Sequence, residues 1–210
     1  MQKIKNIILD YGDVIFMIDF ARASQAFITL GVKNIDELFG HRGQHKLFDD
    51  LDCGKITAAQ FRDGIRQITA KPELTDAQID HAWNALLIGV PEGNHEILEQ
   101  LNKKYRLFLL SNNNEIHYQW IMEHLSDQFQ LSGNSQFFEK DYYSHLMGMR
   151  KPNKEIFTYV IDKHALNPAE TLFIDDSPQH IETANGVGLH TALLTKPDTL
   201  RELIKRLEIL

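Results

Sequence analysis

Four short apolar runs, each closing on polar residues and each separated from the next by helical patterning, constrain this chain more than any other feature. They occupy residues 4–9, 107–110, 171–174 and 191–194. Each has the length and continuity of a strand buried on both faces. Leu200, Leu203, Ile204 and Leu207 repeat at i, i+3, i+4 and i+7, one stripe of a helix. Ile156, Phe157, Val160 and Ile161 form one face of another, with Asn153 placed as its N-cap after Pro152. Strands alternating with helices predict an α/β fold built on a doubly wound parallel sheet. In such sheets ligands bind outside the carboxyl ends of the strands.

The stretch between the first two runs breaks the alternation and reads as helices only. Thr57 with Gln60 and Thr75 with Gln78 have capping-box spacing. The α/β pattern resumes near Pro91. The expected organisation is a core made of residues 1–17 and 89–210, with an inserted helical cap at 18–88.

The balance of 22 Lys+Arg against 29 Asp+Glu gives a net charge of −7. With no basic block, it argues against a nucleic-acid or anionic-membrane partner. Cys53 is the single cysteine and has no internal partner, so the chain is expected in a reducing cytoplasm. No apolar run approaches a membrane span.

Polar residues mark the strand ends and nearby loops: Asp10, Ser111-Asn112, Lys151-Pro152 and Asp175-Asp176. Each alone is an ordinary strand end, turn or helix start. The topology brings them to one place, where their chemistries complement one another. Phosphoryl transfer through the protein needs a carboxylate nucleophile. It needs a divalent ion to let one anion approach another, and donors and a cation for the remaining phosphate oxygens. Asp10 suits the nucleophile and a metal ligand, Asp176 a second ligand, and a sparse carboxylate set of this kind suits Mg²⁺. Ser111 and Asn112 suit phosphate oxygens, and Lys151 supplies positive charge that also offsets repulsion among Asp10, Asp175 and Asp176.

Taken in order, Ile-Ile-Leu-Asp10-Tyr-Gly-Asp, Leu-Leu-Ser111-Asn112, Arg-Lys151-Pro152 and Phe-Ile-Asp175-Asp176-Ser-Pro resemble the four motifs of the haloacid dehalogenase (HAD) superfamily. The insertion is similar to its helical C1 cap. Gly54-Lys55-Ile56-Thr57 followed by Phe61 resembles the branch acting on glucose 1-phosphate. The resemblance implies a Mg²⁺-dependent phosphatase acting on a small phosphorylated metabolite through an aspartyl-phosphate. It implies metal ligation by Asp10, the Gly12 carbonyl and Asp176. Asp175 enters either as a carboxylate behind the metal ligands or as an auxiliary metal carboxylate, not firmly ranked below Asp176. Phosphate binding falls to Ser111, Asn112 and Lys151.

One departure stands out. Most phosphatases of the superfamily carry an aspartate two residues after the nucleophile, as general acid and base; here that position is Gly12. Asp13, one residue out of register, reads as a loop carboxylate making a local turn bond. His180 reads as an outer residue at a helix start. Two alternatives stay open: a metal-independent 2-haloacid dehalogenase, against which the Asp175-Asp176 pair argues, and a phosphate-binding module without catalysis.

Other signals carry less. His41 and His45 share a helical face but lack a third metal ligand. Asp49-Asp50-Asp52 reads as a solvated loop, Cys53 as a packed residue, and Trp83 and Trp120 as helix packing. Gly186-Val187-Gly188 reads as a helix end.

Overall fold

The computed structural model describes residues 4–32, 35 and 46–210; His41 and His45 lie outside them. In chain order the described elements are β1 (Asn6–Leu9), β2 (Met17–Ile18), α1 (Phe20–Thr29), α2 (Lys46–Asp52), α3 (Ala58–Ile68), α4 (Asp76–Asn84), β3 (Leu87–Gly89), α5 (Asn94–Asn102) and β4 (Arg106–Ser111). Then come α6 (Glu115–Phe129), β5 (Lys140–Tyr143), α7 (Ser144–Met147), α8 (Lys154–Lys163), a 3-10 turn at Pro168–Glu170, β6 (Thr171–Asp175), α9 (Pro178–Gly186), β7 (His190–Leu193) and α10 (Leu200–Arg206).

The main sheet has the order β5-β4-β1-β6-β7, every pair parallel. Strand periodicity sorts its side chains onto two faces. Ile7, Leu9, Leu107, Leu109 and Ile174 join one apolar core, which continues beneath α5, α6 and α10 and into the inserted helices. Ile8, Phe108, Leu110 and Phe173 join a second core under α8 and α9. The sheet is therefore covered on both sides. Its connections diverge on either side of β1, so the crevice beyond Leu9 is the place where such a fold takes a ligand.

Between β2 and β3 the described elements are helices α1 to α4. β2 and β3 pair antiparallel, Met17 with Gly89 and Ile18 with Leu87, so the chain enters and leaves the helical insertion through one short ribbon. Both expected capping boxes form, at Thr57/Gln60 and Thr75/Gln78. Asn153 occupies the N-cap of α8, but its side chain makes no capping hydrogen bond.

Two expectations need correction. The run at 191–194 is not buried on both faces: β7 is an edge strand, and Leu193 is exposed. Asp49, Asp50 and Asp52 belong to α2 rather than to a solvated loop, and Asp52 is buried against the core. Cys53 is buried, and burial pushes its thiol pKa up. Among the described residues no helix is long and apolar enough to cross a membrane.

Candidate active site

Asp10 follows β1 directly, its N–H donating to the Ile174 carbonyl at 2.9 Å, so two parallel strands fix where its side chain emerges. Ser111 and Asp175 are the last residues of β4 and β6. Lys151 enters from the loop before α8 and is completely buried. Its Nζ lies 2.6 Å from Asp10 Oδ1 and 2.7 Å from Asp175 Oδ2, with the Phe173 ring 5.5 Å away. Burial works against the Lys151 ammonium, but the two carboxylates outweigh it and hold its pKa above the ordinary value.

The neighbouring aspartates differ in surroundings. Asp175 is fully buried. Its Oδ1 accepts from the Ser177 N–H at 2.8 Å and lies 2.9 Å from His180 Nδ1, while Oδ2 takes Lys151. Burial raises its pKa, but Lys151 and His180 pull it below the usual carboxylate range. Asp176 is exposed to the crevice, and among the described residues no side chain pairs with it. Enclosure in the cleft, followed by the charges of Asp10, Asp175 and Asp13, pushes its pKa up to about 7. Burial, then Asp175, also pushes Asp10 upward despite Lys151. Alternating residues at a strand end point to opposite sides, which is why only one of this pair faces the cavity.

Asn112 spends its side chain on Lys151. Its Oδ1 accepts from the Lys151 N–H and its Nδ2 donates to the Lys151 carbonyl, each at 2.9 Å. The Ser111 hydroxyl makes only a 3.4 Å contact to the Asn112 carbonyl.

Asp10, Gly12, Ser111, Asn112 and Asp176 line one cavity of ≈ 230 Å³. The insertion closes it with Phe20, Asp52, Trp83 and Leu86. Asn114, which sequence reasoning missed, joins the two parts. Its Oδ1 caps α6 at the His117 N–H (3.1 Å), and its Nδ2 donates to Asp52 Oδ1 and to His117 Nδ1, each at 3.1 Å. His117 Nε2 lies 3.3 Å from the Trp83 carbonyl. One neutral tautomer satisfies both ring contacts, and burial holds the His117 pKa down to about 3. Arg150 was missed too; it pairs with Asp49 and, at 3.8 Å, with Asp52. Its place beside Lys151, and the three-residue spacing from Asn114 to His117, were the available signals.

Asp13 has φ 52° and is not among the residues that line the cavity. It accepts from the Ile18 N–H at 3.3 Å and pairs with Lys196 at 2.9 Å. His180 does line the cavity.

A family model described as haloacid dehalogenase-like hydrolase matches residues 4–188. The chain belongs to the haloacid dehalogenase-like hydrolase family. It is 34% identical over 190 residues to a D-ribitol-5-phosphate phosphatase of Bacteroides thetaiotaomicron, covering 90% of both chains. A HAD family enzyme of the same organism, crystallised with magnesium and inorganic phosphate, superposes with a TM-score of 0.84 at 37% identity, covering 95% of this chain and 98% of that one. A HAD-like family hydrolase from Porphyromonas gingivalis gives 0.86 at 34%, covering 98% of both. Within this HAD-like site the oxygen donors suit magnesium. Asp10 and Asp176 face one cavity; Lys151 offsets the charge of Asp10 from behind, but among the described residues no side chain pairs with Asp176, and a hard cation on few carboxylates would relieve its repulsion with Asp10.

Proposed function

We propose that this protein is a magnesium-dependent phosphatase of small phosphomonoesters, working through an aspartyl-phosphate on Asp10. The observation that carries the reading is the disposition of Asp10 and Asp176 on one cavity, with Lys151 buried behind Asp10. Asp10, the Gly12 carbonyl and Asp176 would hold the ion. Once bound, it supplies the charge neutralisation that lets an anionic nucleophile meet an anionic phosphate. Asp175 serves instead to position Lys151, because both its oxygens are engaged elsewhere. That assignment also passes over a set of ligand atoms from Asp10, Asp175 and His180 lying within 4.8 Å of one another.

The Ser111 hydroxyl, on the cavity wall, takes a non-bridging phosphate oxygen; Lys151, behind Asp10, adds positive charge to the same cradle, and Asn112 fixes its main chain. An Asp10 oxygen forms the bond to phosphorus as the ester P–O bond breaks, and the leaving oxygen takes its proton from solvent because Gly12 offers no acid. Water then attacks phosphorus, the bond from Asp10 to phosphorus breaks, and a proton passes to solvent, leaving inorganic phosphate and the Asp10 carboxylate. Residues 18–88 act as the cap that excludes bulk water and selects the substrate. The D-ribitol-5-phosphate phosphatase relative favours a sugar or polyol phosphate. A cytoplasmic setting without nucleic-acid or membrane partners fits the acidic balance and the lone cysteine.

The test is phosphate release from p-nitrophenyl phosphate and D-ribitol 5-phosphate, with Mg²⁺ and with EDTA, for wild type and Asp10→Asn. Turnover that needs Mg²⁺ and disappears in the variant supports the reading. Halide release from a 2-haloacid in EDTA contradicts it, as do equal background rates for both proteins.

A further inference from the structure

The end of helix α2 grips both loops that form the phosphate cradle. Asp52 Oδ1 accepts from Asn114 Nδ2 at 3.1 Å, and Asn114 closes the loop that begins at Ser111. The Asp52 carbonyl accepts the Ser144 hydroxyl at 2.6 Å, and that same hydroxyl oxygen accepts from the Asn113 N–H at 2.9 Å. On the other side, Asp49 and Asp52 pair with Arg150, the residue next to Lys151. Asn112 then ties the two loops together across the Lys151 main chain.

The contact is close as well as polar. A side chain at Gly54, which has φ +63°, would place Cβ 2.2 Å from the His145 carbonyl oxygen. Asp52, Asn113, Asn114 and Ser144 are all buried. Polar groups removed from water must be matched, and an incomplete match is costly. A seated α2 therefore satisfies Asn114 Nδ2 and the Ser144 hydroxyl, although Asn113 Nδ2 stays unpaired, and an unseated one strips partners from both loops together.

We propose that Asp49, Asp52 and Arg150 are positioning residues: they make the placement of Lys151 and Ser111 depend on the seating of α2. This rests on the phosphatase reading above. The insertion then contributes to the transition-state scaffold in addition to covering it.

The test compares Arg150→Met, Arg150→Lys, Asp52→Asn and the double variant Asp52→Asn/Arg150→Met, using p-nitrophenyl phosphate and D-ribitol 5-phosphate. Misplacing a supporting shell costs roughly 10- to 100-fold. Arg150→Met is therefore expected to lose about that factor in kcat/KM on both substrates equally, because the shared phosphate cradle is disturbed. Arg150→Lys recovers part of the loss, and the double variant is no worse than the poorer single one.

Hydrogen exchange gives a readout that does not depend on turnover. Fluoroberyllate with Mg²⁺ protects amides 46–54 in wild type, and that protection is lost in Arg150→Met while its Mg²⁺-induced Tm shift remains. Asp49→Asn, at a half-exposed position, serves as the milder variant if Arg150→Met fails to fold.

A loss confined to D-ribitol 5-phosphate overturns the proposal in favour of direct substrate contact by Arg150. Unchanged kinetics and unchanged protection also overturn it. A wild type that turns over neither substrate and binds no fluoroberyllate defeats the phosphatase reading itself, and this inference with it.

Discussion

Lys151 Nζ sits 2.6 Å from Asp10 Oδ1, inside a protein that leaves the lysine no contact with water. The same ammonium reaches Asp175 at 2.7 Å, so one cation neutralises two buried carboxylates. Removing one partner of such a cluster strands the others. Lys151→Met is expected to lower unfolding free energy in EDTA by about 3–5 kcal/mol, the cost of breaking a buried ion pair from one side, and to abolish turnover. Urea unfolding checks this; a loss below about 1 kcal/mol would mean that the cluster is more open to water than its burial indicates.

Asp176→Asn takes one negative charge out of a crowded acidic crevice. In EDTA at pH 8 the variant is expected to melt higher than wild type, because repulsion with Asp10, Asp175 and Asp13 is relieved. Its Mg²⁺-dependent Tm shift should disappear, since that shift measures binding to the folded state alone. Thermal melts with and without Mg²⁺ decide it. A variant that melts lower in EDTA, or still responds to Mg²⁺, removes Asp176 from the proposed metal shell.

His117 supplies a pH test away from the proposed metal ligands. Its folded pKa is depressed to about 3, so the unfolded chain takes up a proton first as pH falls below the ordinary histidine value of about 6.5. Stability from this site is thus present above that value and is lost toward pH 3. The wild-type stability relative to His117→Gln should fall with a slope approaching 1.4 kcal/mol per pH unit across that window, about one proton's worth. Taking the difference cancels the raised Asp10 and Asp176, which act in the opposite sense. A flat difference from pH 7 to 4 contradicts the neutral, doubly bonded imidazole.

Gly12→Asp restores the acid that this chain lacks. The backbone there is outside the left-handed region, but a Cβ would lie 3.2 Å from Ile18 Cδ1, so Ile18 must shift slightly. A positioned general acid is worth about 10²–10⁴-fold. Gly12→Asp, best paired with Ile18→Val, is expected to raise kcat on alkyl phosphates far more than on p-nitrophenyl phosphate. No gain anywhere in a leaving-group series, with Tm unchanged, would count against the missing acid as the limiting feature.

The strands that carry Asp10, Ser111 and Asp175 were legible because a strand buried on both faces must be a continuous apolar run, and β1, β4 and β6 are that. β5 escaped notice because Lys-Asp-Tyr-Tyr at the sheet edge has no such run. The β2–β3 ribbon is too short to leave a period. The separate surroundings of Asp175 and Asp176 are a matter of which side of the strand end each occupies, and residue type alone does not encode it. The burial of Asp52 was hidden for another reason. An acidic cluster looks solvated until Asn114 and Arg150, far along the chain, are brought against it.

The most direct measurement is mass spectrometry of protein quenched in acid during turnover of p-nitrophenyl phosphate with Mg²⁺. The account predicts a phosphoryl increment on the peptide containing Asp10, absent in EDTA and absent from Asp10→Asn. A phosphoryl group on any other residue, or full turnover by Asp10→Asn, would contradict it.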